Sequence, residues 1–116
     1  MSATSEDCLF CRIVSGEVPG DVVAETASSL AFRDIEPAAP THVLVVPRRH
    51  VPDLAGLAAA SPDELADVVG LAARVANDEG LPGYRLVANT GEAAQQSVFH
   101  AHVHVIGGRA LSWPPG

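Results

Sequence analysis

The stretch Ser97-Val98-Phe99-His100-Ala101-His102-Val103-His104-Val105-Ile106 constrains this chain most, because it sets three of the five histidines at alternate positions. Side chains of a β-strand alternate between faces, so His100, His102 and His104 share one face while Phe99, Ala101, Val103 and Val105 share the other. One histidine so placed needs nothing beyond the polar side of an edge strand; three in register point to chemistry. Same-face neighbours lie ~7 Å apart and the outer pair ~13 Å apart, so a single ion reaches two adjacent imidazoles but hardly three. An imidazole is instead a competent nucleophile toward phosphorus once its proton is held on the other nitrogen, by a backbone carbonyl or a neighbouring histidine. His102, flanked on both sides, is the nucleophile by position.

The rest of the chain predicts a sheet to carry this strand. Thr41–Pro47 is β-branched and almost continuously apolar, the pattern of a central strand covered on both faces. Asp21–Glu25 and Ser29–Arg33 form a hairpin, and Tyr84–Asn89 is a further strand. Leu9, Phe10, Ile13 and Val14 have helical spacing in a short helix that Gly16 and Pro19 stop. The long helix runs from Pro62 to Glu79: Ser61 N-caps it, Glu64 closes a capping box, and Gly80 ends it. Its apolar stripe is Leu65, Val68, Val69, Ala72, Val75 and Ala76, and Asp78 and Glu79 sit unfavourably at its negative end. The fold class is α+β, a five-stranded antiparallel sheet with one long and one short helix. Residues 1–116 form one domain, with 1–7 a flexible N-terminus and 110–116 a tail.

A formal charge of −7 with one adjacent basic pair, Arg48-Arg49, argues against nucleic acid or an anionic membrane as partner. No apolar run approaches the length of a membrane span, and the first residues lack the basic and apolar regions of a signal peptide, so a cytoplasmic location is expected. In a reducing compartment the Cys8-x-x-Cys11 pair reads as metal or redox chemistry before a structural disulfide. A Cys₂His₂ zinc site, a thioredoxin-like redox pair and two free thiols all remain open to it.

His100-Ala101-His102-Val103-His104-Val105-Ile106 resembles the H-x-H-x-H-x-x motif of the histidine-triad (HIT) proteins. The likeness spans about residues 8 to 116, through Phe32-Arg33-Asp34-Ile35, Ala39-Pro40-Thr41-His42, Pro47-Arg48-Arg49-His50, Asn89-Thr90-Gly91, Gln96-Ser97-Val98-Phe99 and Trp113-Pro114-Pro115-Gly116. The branch it resembles hydrolyses purine nucleoside phosphoramidates. The resemblance implies that His102 is the nucleophile, that His104 and Ser97 contact the phosphate and leaving group, and that His42 supports from behind. It further implies that Asn89 and the Gln96–Ser97 backbone position the phosphate, that Asp34 accepts from the ribose hydroxyls, and that Leu9, Phe10, Ile13, Phe32 and Ile35 sandwich the purine; each of these apolar residues serves equally well as plain core. A histidine rather than glutamine at position 104 resembles the hydrolases of the superfamily. In many bacterial-type members the C-x-x-C pairs with two histidines, here His50 and His100, around a structural zinc; no catalytic cofactor is implied. The resemblance also implies a homodimer, with the long helix and the Tyr84–Asn89 strand pairing across a two-fold axis. Trp113 and the tail would then reach the partner's site. The same scaffold would serve a nucleotide-binding module or a dinucleoside polyphosphate hydrolase.

Overall fold

The computed structural model describes residues 7–116. The elements are α1 (Leu9–Ser15), β1 (Val22–Glu25), β2 (Ser29–Arg33), β3 (Thr41–Pro47), α2 (Leu54–Ala60), α3 (Pro62–Asp78), β4 (Tyr84–Val87) and β5 (Val103–Gly107), with a 3₁₀ turn at Glu92–Ala94. The five strands form one antiparallel sheet in the order β1-β2-β3-β5-β4. β3 is therefore the middle strand, and all seven of its residues are buried, as its unbroken apolar run requires.

Alternation along the strands divides the core into two layers. Ala31, Val43, Val45, Val103 and Val105 face one way and pack against Leu57 of α2 and Val68, Leu71, Ala72 and Val75 of α3. Leu30, Phe32, Leu44 and Val46 face the other way and pack against Cys8, Phe10 and Cys11 at α1. The odd-numbered positions of β3 and β5 thus lie under the long helix. His42 and His104, at even positions, fall on the α1 side of the sheet.

Helix ends follow the sequence closely. The Cys8 sulfur accepts from the Cys11 N–H at the start of α1, and Gly16 ends it at φ 82°, a conformation open to glycine without steric cost. Ser61 caps α3 by accepting from the Glu64 N–H. The reciprocal half of the capping box is not made: the Ser61 N–H goes to the Leu57 carbonyl, and the Glu64 carboxylate is taken by Arg49 at 2.8 and 3.1 Å. Arg33 meets Glu79 at 2.8 Å, offsetting the adverse charge at the end of α3 and holding that carboxyl below its ordinary range.

The structure departs from expectation in several places. The predicted strand from His100 begins only at Val103, because the Ala101 N–H bonds to the Val51 carbonyl (2.7 Å) and not to β3. Phe99, grouped by alternation with Ala101, Val103 and Val105, is 46% exposed, whereas those three are buried. The fourth strand stops at Val87. α3 buries Leu71 and leaves Val69 44% exposed, a rotation of the stripe by a small angle. A third helix, α2, is seven residues long and buries only Leu57, too little periodicity to be seen in sequence; Asp53 caps it through the Gly56 N–H. The tail has no regular structure. The expected flexible N-terminus falls on residues 1–6, outside the described residues, except for Asp7.

Candidate functional site

On the α1 side of the sheet lies a cleft of about 790 Å³. Leu9, Phe10, Ile13, Phe32, Asp34, Ile35, Ser97, His102 and His104, all singled out in the sequence, line it together. Phe10 and Phe32 belong both to the cleft and to the core, with exposures of 5% and 3%, whereas Ile35 is 93% exposed at the rim. Val98, from the Gln96-Ser97-Val98-Phe99 motif, also lines it, as do Leu44, Pro19 and Gly20, which had no motif to reveal them.

The hydrogen bonds fix the tautomers of the histidines. His102 Nδ1 lies 2.7 Å from the His100 carbonyl, which can only accept, so the proton sits on Nδ1 and the Nε2 lone pair is free. The ring of Phe10 packs edge-on against it at 5.0 Å. Burial pushes the His102 pKa down, against the raising effects of the His100 carbonyl and the Asp34 charge, and the imidazole is neutral at pH 7.

Behind it, the Ala38 N–H donates to His42 Nδ1 at 2.9 Å, which places the His42 proton on Nε2. His42 Nε2–H lies 2.9 Å from His104 Nδ1 and 3.4 Å from Asp34 Oδ2. His104 Nδ1 therefore accepts, and its own proton is on Nε2. That Nε2 is buried and without a partner, a donor left for something that enters the cleft. Burial, with the charges of His102 and His42, pushes the His104 pKa down to about 4.

Asp34, His42 and His104 also bring a carboxylate and two imidazoles close enough to suggest a metal. Their wiring opposes it. A metal on His42 Nε2 would move the proton to Nδ1, where it would face the Ala38 N–H. The trio is arranged to pass hydrogen bonds.

A cluster better suited to a metal lies beside it. Cys8 and Cys11 Sγ and the Nδ1 atoms of His50 and His100 are within 4.8 Å of one another. Three of the sulfur to nitrogen edges are 3.3 to 3.4 Å, and the two Nδ1 atoms are 3.3 Å apart. A tetrahedral zinc with ordinary bond lengths demands edges of about 3.6 and 3.3 Å. His100 Nε2–H donates to the Pro47 carbonyl at 2.7 Å, so its Nδ1 lone pair points at the cluster, and burial lowers its pKa to about 4. The four residues fit a closed structural zinc site with no position left for water. Of the three imidazoles, His100 is turned to the sulfurs while His102 and His104 face the cleft.

Gln96 and Asn89, expected at the phosphate, and Trp113, expected at the partner's site, do not line this cleft. Gln96 is buried with its side chain consumed, Oε1 accepting from Gly91 and Nε2 donating to the Pro52 and Val98 carbonyls; it shapes the loop that presents Ser97. Asn89, partly buried beyond β4, is not in the cleft wall. Trp113 is 81% exposed and stacks with Arg85, whose guanidinium also holds the Ser112 carbonyl. Asp34 reaches the cleft, but its Oδ1 already holds the Glu36 N–H at 2.8 Å. Sequence reasoning missed the Pro47 carbonyl and the Ala38 N–H, backbone groups that no residue type announces.

A cleft walled by apolar side chains, with a fixed-tautomer histidine pair at its floor and a Cys₂His₂ centre alongside, defines a histidine-row α+β domain. A family model described as the HIT domain matches residues 15–111, and the chain belongs to that family. It is similar to a "14 kDa zinc-binding protein" of Zea mays, 47% identical over 114 residues, covering 93% of this chain and 87% of that one. Among solved structures it is similar to a HIT family hydrolase from Legionella pneumophila, with TM-score 0.90 and 45% identity, covering 95% of this chain and all of that one (100%). It also resembles a histidine triad nucleotide-binding protein from Candida albicans, with TM-score 0.78 and 33% identity, covering 93% and 83% of the two chains. Among the described residues no helix is long and apolar enough to cross a membrane.

Proposed function

We propose that this protein is a nucleotide-binding hydrolase that cleaves the P–N bond of purine nucleoside 5′-phosphoramidates through a nucleotidyl-His102 intermediate. The observation that carries the reading is the His102 Nδ1 to His100 carbonyl bond of 2.7 Å, which leaves a neutral Nε2 nucleophile in the cleft. The purine lies among Leu9, Phe10, Ile13, Phe32 and Ile35, the ribose hydroxyls reach the free acceptors of Asp34, and the phosphate rests near Ser97. The backbone after Gln96, which leads into Ser97, flanks the phosphate.

His102 Nε2 attacks phosphorus, the P–N bond breaks, and the amine leaves with a proton drawn from water. His104, neutral at pH 7, donates its unpartnered Nε2–H to a phosphoryl oxygen and lessens charge build-up there. Water then attacks the phosphorus of the intermediate, gives up its proton to solvent, and frees His102 and the nucleoside monophosphate. Cys8, Cys11, His50 and His100 would hold a zinc ion whose part is structural cross-linking.

A homodimer is part of this reading. β4 is an edge strand whose Tyr84 and Leu86 are 41% and 39% exposed, and Val69 of α3 is 44% exposed, apolar surface suited to a second copy.

Purified protein is expected to release AMP from adenosine 5′-phosphoramidate, followed by phosphorus NMR. His102→Ala is expected to lower the rate by roughly three orders of magnitude or more while nucleotide binding is kept. Equal turnover by wild type and His102→Ala refutes the assignment, and AMP binding without turnover favours a binding module. Faster cleavage of a dinucleoside polyphosphate would instead assign that substrate class.

A further inference from the structure

Turnover at His102 makes no use of the two cysteine sulfurs, yet the fold does not seal them off. A groove of about 340 Å³ opens at the start of α1, and Cys8, His50 and Phe99 are among its walls. Cys8, 9% exposed, lines this groove; Cys11, 4% exposed, does not. The two sulfurs lie within 4.8 Å of each other at the first turn of α1, where the Cys8 sulfur accepts from the Cys11 N–H. One sulfur that a small molecule can reach, with a second close by and shielded, is the arrangement in which an oxidised cysteine is resolved to a disulfide before it goes on to sulfinic acid.

We propose that Cys8 and Cys11 form a switch responsive to hydrogen peroxide, in which oxidation to an intrachain disulfide releases the structural zinc and slackens the catalytic cleft. The Cys8 thiolate attacks peroxide that enters by the groove; its sulfur takes one oxygen as a sulfenic acid, the O–O bond breaks and hydroxide leaves. The Cys11 thiolate then attacks the Cys8 sulfur, the S–S bond forms, the S–O bond breaks and a second hydroxide leaves. Solvent protons turn both hydroxides into water, so the two thiolates give up two electrons to one peroxide while the zinc stays divalent. His50 and His100 are left, too few ligands to retain the ion. Leu9 and Phe10, the two residues between the cysteines, wall the cleft, and the ring of Phe10 packs on His102 at 5.0 Å and on His100 at 6.0 Å. Drawing the sulfurs to the ~2 Å of a disulfide therefore moves the turn that carries Phe10. The effect on turnover rests on the reading of His102 as nucleophile; the chemistry at sulfur does not.

Zinc-loaded protein prepared anaerobically is treated with about five equivalents of hydrogen peroxide. Zinc release is followed with a metallochromic indicator, beside intact mass, thiol alkylation and AMP release from adenosine 5′-phosphoramidate. Zinc release and conversion of both thiols to one intrachain disulfide are expected to advance together, with turnover falling about tenfold or more and returning when dithiothreitol and zinc are added. Brief exposure in the presence of dimedone should label Cys8 ahead of Cys11 on peptide mapping. Phe99→Ala, which opens the groove, is expected to speed zinc release about two- to fivefold, with turnover of the reduced protein within about twofold of wild type. Protein that keeps its zinc and both alkylatable thiols under peroxide, or that yields sulfinic acid or cross-linked chains in place of the intrachain disulfide, overturns the switch. Label on Cys11 first, or zinc release from Phe99→Ala at the wild-type rate, refutes entry by the groove. Full turnover by the disulfide form refutes the coupling to the cleft. Loaded, reduced protein that cleaves no phosphoramidate while its cysteines still oxidise and release zinc refutes the reading of His102 and leaves the switch at sulfur standing.

Discussion

Removing the metal centre tests how much of the site depends on it. The four ligands come from three places in the chain: Cys8 and Cys11 around α1, His50 just after β3, and His100 ahead of β5. Cross-linking them ties down α1, which supplies Leu9, Phe10 and Ile13 to the cleft. It also ties down His100, whose carbonyl accepts the His102 Nδ1 proton at 2.7 Å. A ligand that binds only the folded state at a thousandfold excess over its Kd stabilises it by about 4 kcal/mol. For a domain of this length each kcal/mol moves Tm by roughly 3 to 6 °C, so chelation or Cys11→Ser should lower Tm by roughly 12 to 24 °C. The assay is calorimetry alongside metal analysis, on protein prepared anaerobically so that the thiols stay reduced. Below the new Tm, kcat for the phosphoramidate should fall more than KM rises, because the disturbed group is the one that orients His102. ¹⁵N NMR of the His102 ring should show the Nδ1–H tautomer losing its dominance. Metal-free protein that melts within about 2 °C of the loaded form, with the ring signal unchanged, would refute the coupling.

Three further outcomes follow from the geometry. His104 has a pKa of about 4 in the fold against 6.5 for a free imidazole, so between these values the unfolded chain takes up a proton that the folded chain refuses. That contribution to stability is complete above pH 6.5 and is lost as pH falls toward 4, by at most about 3 kcal/mol given its partial burial; denaturant melts from pH 7 to 4 measure it, and kcat/KM should stay flat down to pH 6.5 because His102 is also held neutral. His42→Ala removes the Nε2–H that fixes His104 and should lower kcat about 10- to 100-fold with KM within about threefold; an equal change in both would show that His42 serves binding. Asp67 Oδ2 accepts three hydroxyl protons, from Thr26 at 2.5 Å, Ser29 at 2.6 Å and Ser28 at 2.9 Å, locking the β1–β2 turn to α3 and holding its own pKa low. Asp67→Asn should cost about 1 to 3 kcal/mol in chemical denaturation with kcat unchanged, and a loss under about 0.5 kcal/mol would show that the cluster is not a lock.

The sequence alone determined what local physics dictates. Period-two alternation sorted Ala101, Val103 and Val105 from His102 and His104, and the apolar run of Thr41–Pro47 marked the middle of the sheet. Caps at Ser61 and Gly16 set helix ends within a residue, because each is a hydrogen bond or a dihedral preference among near neighbours. The C-x-x-C spacing marked a metal or redox pair, and the histidine row offered His102 as its candidate nucleophile by position. Only the tertiary structure decided which groups each histidine meets. The antiparallel register of β3 against β5, with Leu44 opposite His104, brings His42 to the back of His104 from 62 positions away. The departure of residues 100–102 from the ladder turns His100 toward sulfurs some 90 positions distant, while its carbonyl stays with His102. The tautomers follow from backbone groups at Ala38, Pro47 and His100, which every residue type carries alike. Their direction is a property of the fold, and it turns one imidazole's lone pair to the sulfurs, leaves a second lone pair free in the cleft and leaves the third ring a donor there.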